Sequence, residues 1–113
     1  MQRLPKRLVD GSQLTAVAAT YYTTPANTLT TISACTLTNT TAGAVTASVY
    51  LVPNGGTAGV ENCVLSSRTL AAGEAYNVPG AIGQTIPAGG TLQALAGSAT
   101  SITLVASGYE SIP

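Results

Sequence analysis

Residues 45–52 read VTASVYLV, and the alternation within them decides the fold. Successive side chains of an extended chain point to opposite faces, so Val45, Ala47, Val49 and Leu51 share one side while Thr46, Ser48, Tyr50 and Val52 share the other. This is the pattern of a strand with one buried face. A polar turn, Asn39-Thr40-Thr41-Ala42-Gly43, leads into it, and Pro53-Asn54-Gly55-Gly56 ends it. Near the C-terminus SITLVASGY, residues 101–109, repeats the device, with Ile102, Leu104 and Ala106 opposite Thr103, Val105, Ser107 and Tyr109.

Working outward, further strands are expected at 14–22, 29–38, 63–70, 75–78 and 91–96. In the segment 29–38 the apolar parity changes: Ile32 and Ala34 fall on one side, Leu29, Cys35 and Leu37 on the other. Either both faces are covered there or a bulge near Ser33 switches the side chains across. Three joints look alike, TTPANTL from Thr23, TLAAGEAY from Thr69 and TIPAGGTL from Thr85; each places Ala and then Asn or Gly just before the next strand. Asn and Gly accept a positive φ, so each joint is expected to be a type II turn. No segment sustains a helical spacing, and Thr, Val, Ile and Tyr suit pleated surfaces. The expected fold is all-β: an antiparallel β-sandwich, immunoglobulin-like or jelly-roll, of about seven to eight short strands.

The chain has 113 residues, enough for one domain with a modest core. Charged residues make up 7% against 45% hydrophobic, the formal net charge is zero and histidine is absent, so there is no field to hold a polyanion and nucleic acid is not an expected partner. Neither Phe nor Trp is present, so a thin core of Ala, Val, Leu and Ile is expected, with further burial from subunit contacts. The start, MQRLPKRLVDGSQL, shows no leader-like apolar run, and the apolar runs fall far short of the roughly 20 residues that span a bilayer. A cytoplasmic site of synthesis and no membrane partner are therefore expected. With that compartment Cys35 and Cys63 are expected to be reduced rather than paired, and Asn39-Thr40-Thr41 is expected to act as a turn rather than a glycosylation acceptor.

Three of the four basic residues, Arg3, Lys6 and Arg7, fall within the first seven positions, with Pro5 between them and Asp10-Gly11 closing the segment. Residues 1–13 are expected to form an extended N-terminal arm ahead of a sandwich domain at 14–113. It is either a disordered end or an arm lying on a neighbouring subunit. In the second case Arg3, Leu4, Pro5, Lys6, Arg7 and Leu8 are the partner-binding residues, with the cations meeting carboxylates or carbonyl groups.

No catalytic residues are expected. Without histidine neither a Ser-His-Asp nor a Cys-His arrangement can be built, and the only lysine, Lys6, lies in the arm. The acids Asp10, Glu61, Glu74 and Glu110 are isolated along the chain and, with two cysteines, give no metal-ligand spacing; no metal and no cofactor are expected. The glycine pairs Gly55-Gly56 and Gly89-Gly90 lack the Lys-Ser/Thr of a phosphate loop. Tyr21, Tyr22, Tyr50, Tyr76 and Tyr109 are the only aromatic residues and are candidates for a core rim, a subunit interface or a sugar-binding platform.

The succession YYTTPANTLTTISACTLTNTTAGAVTASVYLVPNGGTAG, then LAAGEAYNV, IGQTIPAGGTLQALAG and ITLVASGYE, resembles the small β-sandwich structural proteins of tailed bacteriophages, from about Thr15 to Glu110. Its most distinctive pieces are the Asn39-Thr40-Thr41 turn before VTASVYLVP and the final Ser107-Gly108-Tyr109-Glu110. The resemblance implies a virion component that decorates the head or serves the head-neck or tail. Such a protein is made in the bacterial cytoplasm, and it binds capsid, neck or tail subunits in many copies or as a homo-oligomer. It brings no catalytic residues with it. The alternative expectation is a receptor- or carbohydrate-binding module of a tail or head fibre, which requires an exposed tyrosine cluster.

Overall fold

The computed structural model describes residues 2–112 and is all-β, two antiparallel sheets packed as a sandwich of nine strands. In chain order these are β1 (Gln2–Gln13), β2 (Ala19–Thr23), β3 (Leu29–Asn39), β4 (Val45–Val52), β5 (Cys63–Leu70), β6 (Ala75–Asn77), β7 (Thr85–Ile86), β8 (Thr91–Ala96) and β9 (Ile102–Ile112). One sheet has the order β1-β9-β3-β6, with the short β7 also pairing with β3. The other has the order β2-β8-β4-β5.

The expected strands at 45–52, 63–70 and 91–96 form at those bounds. The expected strand at 14–22 starts later, at Ala19, because Leu14 is tied as a loop residue: its N–H donates to the Ile102 carbonyl at 2.8 Å and its carbonyl accepts from Thr100 at 3.1 Å. Of the expected arm, residues 2–13 lie among the described residues and Met1 lies outside them; residues 2–13 are extended, but they do not reach out of the body. Residues 2–13 are β1, paired antiparallel with β9 from Gln2 opposite Ile112 to Gln13 opposite Thr103. The boundary drawn between an arm and a sandwich at residue 13 therefore falls inside one sheet.

The parity change in β3 is a bulge. Its register on β9 shifts between Ile32, opposite Gly108, and Ala34, opposite Ser107; before the shift Thr30 and Ile32 are buried, and after it Cys35, Leu37 and Asn39 are. Ser33 is the extra residue, and it lets one strand cover the core with even-numbered and then odd-numbered positions. A second bulge, in β5, has Ser67 at φ 46°, and its N–H donates to the Ser48 hydroxyl at 2.8 Å. That bond explains why Ser48, on the outer parity of β4, is buried.

The three look-alike joints turn as their residues require, with φ of 57° at Asn27, 73° at Gly73 and 79° at Gly89. The last two are closed by i to i+3 bonds, Glu74 N–H to Ala71 carbonyl at 3.0 Å and Gly90 N–H to Pro87 carbonyl at 2.9 Å. Asn39 is fully buried and makes a turn: its amide donates to the Gly43 and Leu70 carbonyls at 2.8 and 3.0 Å and accepts from the N–H and hydroxyl of Thr41 at 3.0 and 2.7 Å.

The core is a single cluster in which Leu14, Ile32, Leu37, Leu70, Leu92, Ile102 and Leu104 are wholly buried, and Ala47, Ala94 and Ala96 supply small inward positions on β4 and β8. Small side chains let the sheets approach closely, which suits a chain without Phe or Trp. Both cysteines are free; Cys35 sits in this core and Cys63 lies half-buried at the start of β5. Burial pushes the Cys35 thiol up to about 11.

Candidate binding surfaces

Strand register assigns the first candidate residues to opposite faces of β1. Side chains opposite each other in an antiparallel pair share a face. Arg3, Pro5 and Arg7 stand opposite Ser111, Tyr109 and Ser107, on the outer face of the sheet. Leu4 and Lys6 stand opposite Glu110 and Gly108 and point toward the interior at its rim. A register shift between Arg7 and Val9 then turns both Leu8 and Val9 into the core, leaving them 7% and 3% exposed. Arg3, Leu4, Pro5, Lys6 and Arg7 are exposed as a binding edge requires, whereas Leu8 is a core residue.

Lys6 has its partner within the chain. Its ammonium donates to Glu110 Oε2 at 3.2 Å and lies 5.9 Å from the Tyr22 ring centroid. The same carboxylate oxygen accepts a hydrogen bond from the Tyr22 hydroxyl, which also meets Thr30 Oγ1 at 2.8 Å. Thr24 Oγ1 completes the chain by donating to Thr30 Oγ1 at 3.1 Å. Tyr22 and Glu110 are each only 8% exposed, so the cluster joins β1, β2, β3 and β9 under cover. The Tyr22 hydrogen bond, with a smaller contribution from Lys6, lowers the Glu110 carboxyl below its ordinary value against the opposing effect of burial. Burial, helped by the neighbouring carboxylate, raises the Tyr22 hydroxyl to about 12.

Gly108 makes this geometry attainable. A Cβ built there would come within 1.9 Å of the Thr31 carbonyl oxygen, so the bulged β3 and β9 approach as only glycine allows. Outside it, an open depression of about 390 Å³ lies between Pro5, Arg7, Ser33, Ser107 and Tyr109. A second depression, of about 480 Å³, is lined by Tyr50, Val60, Cys63, Val64 and Leu65 of β4, β5 and the turn before β5; Val60 there is 95% exposed.

The tyrosines do not share one surface. Tyr22 points inward as described. Tyr76 stands opposite Leu37, an inward position, and the Arg68 guanidinium lies 4.1 Å from its ring centroid. The Tyr21 hydroxyl accepts the Thr15 N–H at 3.1 Å. Tyr50 faces outward from β4 beside Gln93, and Tyr109 faces outward from the other sheet, with Arg3 at 5.5 Å from its ring. A sugar platform needs several rings in one plane of approach, and these five are dispersed.

What sequence reasoning missed is the outer faces of the central strands. On β9 the outward residues are Thr103, Val105, Ser107 and Tyr109, and their neighbours on β3 are Thr38, Thr36, Ala34 and Thr31. On β8 they are Thr91, Gln93 and Leu95, beside Tyr50 of β4, while Val52 and Ser48 on the same parity of β4 are covered. None of these residues is charged. The signal was present in the alternation of 45–52 and 101–109, whose polar half contains hydroxyls and no ions.

No protein-family model matches the chain, and no curated protein matches it. Among solved structures, it superimposes on those of infectious bursal disease virus. For the Gx strain the TM-score is 0.49 with 17% identity, covering 96% of this chain and 30% of that one. For the Gt strain the TM-score is 0.48 with 16% identity, over 96% and 32%. For the VP2 subviral particle it is 0.46 with 21% identity, over 96% and 32%. The chain thus spans about a third of the length of those it resembles, and none of the three comes from a bacteriophage.

Proposed function

We propose that the protein is a structural component of a virus particle, a capsid decoration or head-neck or tail accessory protein of a bacteriophage, that acts by binding neighbouring virion subunits and not by catalysis. The observation that carries the binding role is the uncharged outer face on the central strands of both sheets, β9 and β3 on one side and β8 and β4 on the other. Interface cores are depleted in charge relative to ordinary protein surface, because an ion buried there must be desolvated and paired. Thr and Ser hydroxyls on a rigid pleated face can donate and accept without that cost. The particle itself is inferred from the sequence resemblance to small β-sandwich virion proteins.

Quantitative mass spectrometry of purified particles tests the assignment. The chain should be present, in proportion to shell subunits for a decoration protein and in far fewer copies for a neck or tail component; its absence from purified particles overturns the proposal. Placing a lysine on one outer face at a time, Val105→Lys on the first sheet or Gln93→Lys on the second, should abolish incorporation for the face that docks while leaving the fold intact.

A further inference from the structure

Two cations on the outer face of β1 have no acid beside them among the described residues. Lys6 is turned inward onto Glu110 and Arg68 lies over Tyr76, whereas Arg3 and Arg7 are exposed and neither has a carboxylate within ion-pair reach. The acids are committed or distant. Glu110 points inward, Glu74 accepts the Ala71 N–H at 2.7 Å within its own turn, Glu61 precedes β5 of the other sheet, and Asp10 lies beyond the register shift at Val9. Arginine is enriched and lysine depleted at protein interfaces, because a guanidinium is the more weakly hydrated cation and can grip a carboxylate with two N–H groups. The fold turns its one lysine inward and leaves these two arginines out.

From Arg3 to Arg7 the pairing with β9 runs without a register shift, so both side chains leave the same face, four residues and about 13 Å apart along the strand. Midway between them Pro5 stands opposite Tyr109, and both line the depression of about 390 Å³. Ser33 and Ser107 line it too; Ser33 is the exposed extra residue of the β3 bulge, and its hydroxyl donates to the Ser107 carbonyl at 3.3 Å. Arg3 lies 5.5 Å from the Tyr109 ring centroid, and Arg7 borders the depression. An apolar centre therefore has a cation on each side and hydroxyls beside it.

We infer that this face docks an extended segment of a different protein, lying along β1, with carboxylates at positions i and i+4 and an apolar side chain at i+2. The acids meet Arg3 and Arg7, and the apolar residue covers Pro5 and Tyr109. Alternation puts those three side chains on one side of an extended chain, at the spacing β1 itself has. Charge complementarity selects an acidic partner, and a polyanion fits less well, because two cations in a chain of zero net charge release few counterions. A second copy of this chain does not supply the segment: its acids, Asp10, Glu61, Glu74 and Glu110, are nowhere closer than thirteen positions. This docking names the partner's chemistry for the first sheet's outer face; it rests on the binding role proposed above and not on the kind of particle.

Titration of the isotope-labelled full chain with the peptide Thr-Glu-Thr-Val-Thr-Glu-Thr, followed by two-dimensional NMR at low salt, tests it. Saturable amide shifts should gather on the Arg3–Arg7 part of β1, on Ser33 and on Ser107–Tyr109. They should weaken at high salt, since exposed ion pairs are screened over about 10 Å at roughly 0.1 M salt. Arg3→Gln and Arg7→Gln should each weaken binding about twofold to fivefold, the range of one exposed ion pair, and the double variant about tenfold. Both positions are exposed, and an unchanged spectrum elsewhere shows that the variants remain folded. The same residues with the acids adjacent, Thr-Thr-Thr-Val-Glu-Glu-Thr, should bind less tightly. No saturable shift at this face overturns the inference, and so does equal binding of the adjacent-acid peptide or of one with glutamine in place of both glutamates. Inorganic phosphate or duplex DNA binding there more tightly than the peptide also overturns it, in favour of a general anion or nucleic-acid site. Peptide binding by a chain absent from purified particles overturns only the virion reading; no binding by a chain present in them overturns only this one.

Discussion

On the flank between β1 and β2, Lys6 reaches Glu110 at 3.2 Å and Tyr22 donates to the same carboxylate; on the flank between β5 and β6, Arg68 lies 4.1 Å over the Tyr76 ring. Each flank closes the gap between the sheets with a cation and a tyrosine. Inward-pointing charges at sheet edges also discourage unwanted strand pairing. The difference lies in what holds them. The first flank depends on a buried carboxylate with several partners, and Lys6–Glu110 is the one ion pair among the described residues. The second depends on ring-to-guanidinium contact, in which no carboxylate takes part. One flank should therefore respond to pH and the other should not.

The largest effect that breaks this comparison is expected at Gly108. A methyl group there meets the Thr31 carbonyl oxygen, so Gly108→Ala must push β3 from β9 and displace Glu110 with it. A loss of about 3 kcal/mol or more in denaturant unfolding is expected, the range of severe overpacking. A change under about 0.5 kcal/mol, the scale of a neutral surface substitution, would show that the close approach is not needed.

Next in size is Glu110. Replacing it with Ala strips Tyr22 and Lys6 of their acceptor and should cost about 1–3 kcal/mol, with the larger share from the buried Tyr22 hydroxyl since Lys6 is half exposed. The pH profile separates the flanks further. The Glu110 pKa is depressed in the fold, so its contribution is present above the ordinary carboxylate value and is lost as pH falls through the lower folded value. The Tyr22 pKa is raised from 10.0 to about 12, so its contribution is complete below 10.0 and is lost as pH rises through about 12. Cys35, raised from 9.0 to about 11, adds to the alkaline loss over its own range. Glu110→Gln should flatten the acid limb of a stability profile and Tyr22→Phe should flatten the alkaline one; limbs that stay as steep as in the wild type would reject the assignment.

The smallest effect is expected at Arg68. Arg68→Ala should cost about 0.5–1 kcal/mol, the value of an exposed cation over a ring, by the same amount at pH 5 and pH 8. Hydrogen exchange sharpens the contrast. Lowering the pH below the ordinary carboxylate value should reduce the protection of the Arg3–Arg7 part of β1, relative to the intrinsic exchange rate at the same pH, while leaving that of β6 unchanged.

The fold was legible where neighbours along the chain decide it. Alternation in VTASVYLV and SITLVASGY gave β4 and β9, the parity change announced the Ser33 bulge, and Ala-Asn or Ala-Gly before a strand announced the positive φ at Asn27, Gly73 and Gly89. Residues 2–13 were not legible as part of the sheet. Pro5 and three cations occupy both parities there, and nothing local says that Lys6 may point inward.

The sequence by itself determined the strand periods, the turn chemistry and the lack of charge on the outward parities, because each follows from the pleat or from the φ a residue accepts. Only the tertiary structure decided that β1 lies on β9, that Lys6 meets an acid 104 positions away, and that the five tyrosines part company. Pairing of distant strands is selected by the burial and hydrogen bonding of the whole sandwich, and that selection leaves no mark within any one short segment.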